Sequence, residues 1–146
     1  MKNYNRHIFD NIDTPEKAYW LGFIIADGYL NVDRGMLRIK LGDKDKNHLK
    51  KFITFLGGDI EDMLKLEIHN TTGNNEWYVS TYSAEIKDAL IKLKVEQAKS
   101  SKEHVPPIGK EFYRDFIRGL WDGDGFIREK LDGIGLVGSY ECLSFV

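Results

Sequence analysis

The stretch Tyr19-Trp20-Leu21-Gly22-Phe23-Ile24-Ile25-Ala26-Asp27-Gly28-Tyr29-Leu30 decides how the chain is read, because it returns once. The second copy is Phe116-Ile117-Arg118-Gly119-Leu120-Trp121-Asp122-Gly123-Asp124-Gly125-Phe126-Ile127. At one constant offset Gly22 aligns with Gly119, Asp27 with Asp124 and Gly28 with Gly125. An internal repeat constrains a fold more than any single residue does. Each copy reads as a short apolar helix ending at Asp-Gly, with Gly28 and Gly125 suited to the left-handed position that closes a helix. Gly22 and Ala26, and likewise Gly119 and Gly123, are four residues apart and so share a helix face. Faces lined by such small residues let two backbones come close. Packed side by side, the two helices bring Asp27 and Asp124 to the same end of the pair, where two carboxylates make either a divalent-metal site or a very strained core. A lone Asp-Gly usually means only a turn, and a glycine-bearing apolar helix usually means only burial. Two copies in register reverse that weighting.

Working outward, a helix starts at Asp13 or Thr14, either of which can cap it. Pro15 suits the first turn, and Glu16 suits the positive end. After the motif, Tyr29–Val32 and Met36–Leu41 form a β-hairpin around Asp33-Arg34-Gly35. In its second strand Arg38 and Lys40 alternate with Leu37, Ile39 and Leu41, giving one basic and one apolar face. Such alternation most often marks a solvated outer face. Asp43 or Lys44 opens a helix through Phe55, with Leu49, Phe52, Ile53 and Leu56 at core spacing, and Gly57-Gly58 ends it. Ile60–His69 and Glu76–Tyr82 read as a second strand pair, followed by a helix over Ala84–Lys94. This order predicts an α+β domain with helices on one side of a sheet. A linker runs from Lys99 to Pro107, and a second motif helix rises from Phe112. A weaker hairpin follows over Phe126–Leu131 and Ile134–Val137, and Ser139 caps a helix in which the sequence stops.

Composition sets the outer bounds. The 146 residues suffice for one good core, and 42% hydrophobic with 30% charged content is ordinary for a globular protein. No apolar run reaches the ~20 residues of a membrane span, and the N-terminus has no signal-peptide pattern. The single cysteine, Cys142, excludes an internal disulfide and a Cys-rich zinc site. These features point to a cytoplasmic protein; a prokaryotic or phage-encoded source, with an organelle left open, is what the resemblance given below implies. A net charge of −2 counts against DNA binding. Locally, however, Arg34, Arg38, Lys40, Lys44, Lys46, Lys50 and Lys51 are opposed only by Asp43 and Asp45. Two decoys fail. Gly133–Gly138 matches G-x-G-x-x-G but has no chain left for a ribose-binding acid. Asp122-Gly123-Asp124-Gly125 puts Ile127 where a calcium loop needs glycine. The four histidines are scattered and suggest no ligand cluster.

Both motif copies, Trp20–Gly28 and Ile117–Gly125, resemble the LAGLIDADG motif of homing endonucleases, and the lead-in Asp13–Tyr19 is typical of free-standing and intron-borne members. Ile25 departs from the motif at a variable position where the second copy keeps Asp122. The resemblance covers nearly the whole chain. It implies an αββαββα repeat over residues 1–104 and a partial second repeat over 105–146, with the motif helices meeting at a pseudo-twofold interface of Gly22, Ala26, Gly119 and Gly123. It implies a site-specific endonuclease that hydrolyses both strands of double-stranded DNA, with Mg²⁺ or Mn²⁺ held by Asp27 and Asp124. It nominates Lys99, in a segment like the one that carries the family's pocket lysine, and Lys40, near another pocket position. Their plain readings are a linker charge and a solvated strand residue. Arg34, Arg38, Lys40 and Lys44 are the DNA-binding candidates. Two other outcomes stay open: a non-catalytic nucleic-acid binder, such as a maturase acting on intron RNA or a DNA-binding regulator, and an inactive fragment of a mobile element. The unfinished second sheet leaves an edge that favours self-association.

Overall fold

The computed structural model describes residues 3–69, 71, 73–95 and 106–123. Helix α1 (Pro15–Asp27) begins where expected. The Thr14 side chain accepts the Lys17 backbone N–H, and Pro15 occupies the first turn. The residues from Ala18 to Ile25 are all buried. A helix apolar on every side must be enclosed on every side, and α1 is the central element of the core.

Two strands follow without a break, β1 (Gly28–Asn31) and β2 (Met36–Gly42). They pair antiparallel, with Gly28 opposite Ile39 and Asn31 opposite Met36. Gly28 departs from the expected helix cap. Its φ of −84° and ψ of 162° are extended, and it is already the first residue of β1. What requires glycine there is space, since a Cβ would lie 2.8 Å from the Ile24 carbonyl oxygen. Gly57 is the glycine that closes a helix in the left-handed conformation, at φ 78°. It ends α2 (Lys46–Leu56), which a 3-10 turn over Asp43–Asp45 introduces. The residues at core spacing, Leu49, Phe52, Ile53 and Leu56, are buried as expected.

The expected strand over Ile60–His69 is instead two elements. Asp59 accepts the N–H groups of Glu61 and Asp62 and so nucleates the short helix α3 (Ile60–Met63). Only Lys65–Ile68 forms strand β3. It pairs with β4 (Asn75–Tyr82), and β4 pairs with β2, giving a four-stranded antiparallel sheet in the order β1-β2-β4-β3. Helix α4 (Ala84–Lys92) is capped by Ser83, whose hydroxyl accepts the Ile86 N–H. It ends two residues before the expected Lys94. The last described helix, α5 (Tyr113–Gly123), follows a 3-10 turn over Lys110–Phe112. The architecture is α+β.

Sheet register sorts the side chains. Leu30, Leu37, Ile39 and Val79 lie on the face buried in the core. Tyr29, Arg38 and Ser80 form one row on the opposite face, and Lys40, Tyr78 and Lys65 form another. Glu76 and Glu67 are directly paired on that same face. The basic and apolar faces read from β2 are both present.

Candidate functional site

The site is organised by the contact between α1 and α5. A Cβ on Gly22 would overlap the Phe116 carbonyl oxygen, and one on Gly119 would overlap the Tyr19 carbonyl oxygen. A Cβ on Gly123 would stand 2.9 Å from that of Ala26 and 3.0 Å from the Phe23 carbonyl oxygen. Contacts advance together along both helices, so the two run parallel and in register. Gly22, Ala26, Gly119 and Gly123 thus form the backbone-to-backbone seam expected from their spacing. Because the helices are parallel, their C-terminal ends coincide: Ala26, next to Asp27, touches Gly123, the residue before Asp124 in sequence. Asp124 and Lys99 lie outside the described residues, as do the linker from 99 to 105, the second hairpin and Ser139.

Asp27 is exposed and lines a cleft of about 430 Å³ at this end of the pair. Phe23, Leu41, Lys44, Asp45, His48, Asp122 and Gly123 complete its wall. The cleft gathers the ends of α1 and α5, the end of β2 and the start of α2. Its polar groups are carboxylates, one lysine and one imidazole.

Three of these were not singled out as site residues from sequence: Asp45, His48 and Asp122. The Tyr19 hydroxyl donates to Asp122 Oδ2 at 2.8 Å and lies 3.0 Å from His48 Nε2. With the tyrosine proton on Asp122, His48 Nε2 carries the hydrogen that completes the chain. Partial burial among Tyr19, Trp20 and Phe23 lowers the His48 pKa below its ordinary value; the Asp122 and Asp45 carboxylates oppose that shift, and Lys51 adds to it. The guanidinium of Arg118 lies 4.9 Å from the Tyr19 ring centre, so α5 contributes both a cation and an anion around this tyrosine. Asp122 was legible as the acid kept at the motif's variable position. His48 had no signal beyond its place one residue before the buried Leu49.

The structure spreads the four basic candidates over three settings. Lys44 is in the cleft with Asp27. Arg38 and Lys40 are on the outer sheet face, where Arg38 Nε donates to Ser80 Oγ at 2.8 Å and the guanidinium lies 4.8 Å from the Tyr78 ring centre. Arg34 is exposed at the hairpin turn, 5.9 Å from the Tyr82 ring centre. Lys40 follows Ile39, the register partner of Gly28. Its ammonium group engages Glu67 Oε2 at 2.5 Å. That hydrogen bond is the chief reason the Glu67 carboxyl is held below the usual carboxylate range.

No helix among the described residues is long and apolar enough to cross a membrane. No family model matches the chain. One similar protein is the glutamine–fructose-6-phosphate aminotransferase (isomerizing) of Methanocaldococcus jannaschii, 28% identical over 142 residues. That match takes in 92% of this chain and 12% of the aminotransferase, so the chain spans about one eighth of the length of the curated relative it matches.

Proposed function

We propose that the chain is a LAGLIDADG-type nucleic-acid endonuclease, cutting phosphodiester bonds of double-stranded DNA from the cleft at the end of the α1–α5 pair. One observation carries the reading: the parallel glycine seam, which sets the ends of two motif-bearing helices against each other at Ala26 and Gly123. Paired acids at such ends address two strands related by a dyad, one from each half.

The donor chemistry fits a hard divalent cation. Asp27 offers carboxylate oxygens in an open cleft that also holds Asp45 and Asp122, and oxygen ligands with room for retained waters suit Mg²⁺ or Mn²⁺. Asp27, with Asp124 as its counterpart, would hold the ion, which when bound supplies charge stabilisation at phosphate and acidifies water. The chain's own side chains do the rest. Lys44, in the cleft wall, attracts and orients a phosphate near Asp27. Arg38 and Lys40 face outward from the sheet, where they meet the DNA backbone and fix its register. Lys99 retains its nomination by resemblance alone.

The similarity to an aminotransferase supports a second reading, transfer of an amino group from glutamine to fructose 6-phosphate. A match confined to one eighth of that protein also suits a mobile-element segment carried inside a longer host chain. The test is cleavage of a DNA library in Mg²⁺ by the wild type and by Asp27→Asn. Cleavage should be lost in the variant, with duplex binding in Ca²⁺ retained. Wild-type-like cutting by Asp27→Asn overturns the assignment. Duplex binding without cleavage by the wild type indicates a binding protein. Glutamine consumption dependent on fructose 6-phosphate indicates the second reading.

A further inference from the structure

Glu67, His69 and Glu76 meet on the outer face of the sheet, away from the α1–α5 seam, and the proposed nuclease reaction makes no use of them. Each offers one ligand atom, and the three atoms lie within 4.8 Å of one another, the only such group of three among the described residues. The backbone dictates the meeting. Glu67 and Glu76 are register partners across β3 and β4, and His69, two residues beyond Glu67, falls on the same face. The histidine is held by its main chain: its N–H bonds the Asn74 carbonyl at 3.2 Å, and its carbonyl accepts the Gly73 N–H at 2.8 Å. Gly73 takes the positive φ of 71° that this tight loop requires.

Directly opposed like charges destabilise a strand pair, so two glutamates in register need a cation between them. Lys40 supplies one, against Glu67. Among the described groups, Glu76 is approached by the His69 imidazole, Nε2 standing 2.5 Å from Glu76 Oε1 and 3.5 Å from Glu67 Oε2. Tetrahedral ligands at about 2.0–2.1 Å from a zinc ion are about 3.3 Å apart. The two imidazole–carboxylate separations bracket that value, so small side-chain rotations bring all three atoms onto one ion. One imidazole with two carboxylates suits a borderline transition metal better than Mg²⁺ or Ca²⁺, which take oxygen alone.

We propose that Glu67, His69 and Glu76 form a site for a divalent transition metal such as Zn²⁺, with Lys40 as the cation that occupies Glu67 when no metal is bound. Three protein ligands leave the fourth position open. On a face that also carries Arg38, Lys40 and Lys65, that position is open to a phosphate oxygen. The site does not depend on the nuclease reading, and its ligands are distinct from Asp27.

Calorimetric titration of the full chain with ZnCl2 alone, together with the visible absorption of the Co²⁺ form, tests it. One tightly bound ion per chain is expected at this site, in addition to the weaker ion of the Asp27 cleft. His69→Ala and Glu76→Gln should each weaken binding at least about tenfold, while circular dichroism of the metal-free variants matches the wild type. Asp27→Asn should keep the tight ion at wild-type affinity while losing the weaker one, and Lys40→Ala should bind the tight ion several-fold more strongly because the competing ammonium is gone. Glu76→Gln, close in shape to the native residue, gives the same readout if His69→Ala disturbs the hairpin. Absence of binding in a folded wild type, or wild-type affinity in both His69→Ala and Glu76→Gln, overturns the proposal.

Discussion

At the scale of single residues, His48 has the most consequential environment in the cleft. Its imidazole is packed against Trp20 and Phe23, with ring centres at 4.9 and 4.7 Å, and meets the Tyr19 hydroxyl. Desolvation, the largest influence, lowers its pKa below the ordinary histidine value. The folded state therefore binds the proton less readily than the unfolded state does. Stability from this residue is fully present above the unfolded pKa and is lost as pH falls from there through the lower folded pKa. The melting temperature of the wild type should decline as pH is lowered from about 7.5 toward 5. His48→Gln, which retains an N–H donor for Tyr19 but does not titrate, should show a shallower decline over that window. A slope identical to the wild type's would remove His48 from the account. None of this was legible from His48 in the sequence, because the partners that shift it come from α1 and α5 and meet only in the folded chain. The same holds for His69. Its neighbour Glu67 was visible two positions away on a strand, but Glu76 arrives only through the register of β3 on β4.

At the scale of elements, the α1–α5 seam was the most legible feature, because small residues four apart state their own purpose. The packing also makes it the most fragile. Gly119 faces the Tyr19 carbonyl and Gly22 the Phe116 carbonyl, and main chain cannot rotate aside as a side chain can. Helix propensity alone would reward Gly119→Ala by about 1 kcal/mol. Overpacking at a close backbone contact costs about 1–3 kcal/mol or more. The overlap with the Tyr19 carbonyl puts the cost at the upper end of that range or beyond, so Gly119→Ala should lower the unfolding free energy by about 2 kcal/mol or more net in urea titrations, despite being a better helix former. A stabilised variant would show that the helices are not in contact at this point. The error over Ile60–His69 is instructive at this scale. Ile60, Met63, Leu64, Leu66 and Ile68 look like one apolar run, but the Asp59 carboxylate satisfies two main-chain N–H groups and diverts the first four residues into a helical turn. A local cap outweighed the pattern. Gly28 was misjudged for a related reason: the residue after a helix is commonly left-handed, but here the chain continues directly into a strand.

At the scale of the whole molecule, the net charge of −2 gives no general affinity for nucleic acid, so the proposed nuclease reading requires binding through one face. The face we propose for it is the outer sheet surface bearing Arg38, Lys40 and Lys65, continued toward Lys44 in the cleft. Duplex affinity, followed by fluorescence anisotropy, should fall linearly with salt on logarithmic axes. Arg38→Ala should reduce the slope by about 1 if its guanidinium neutralises one phosphate. An unchanged slope would place the DNA elsewhere. Apart from α3, the order of the described helices and strands could be written down from sequence, and so could the shared outward face of Arg38 and Lys40 on β2. How the cleft closes around Asp27 could not, since its walls come from four separated segments.

The direct passage from Asp27, the last residue of α1, to Gly28, the first of β1, has a mechanical consequence. No intervening residue can serve as a hinge, so a displacement of β1 is passed directly to the end of α1, as through a crank. On the proposed nuclease reading, a poorly fitting duplex that flexes the strands also displaces the acid. Discrimination between targets would then be exerted at the cutting step as well as at capture.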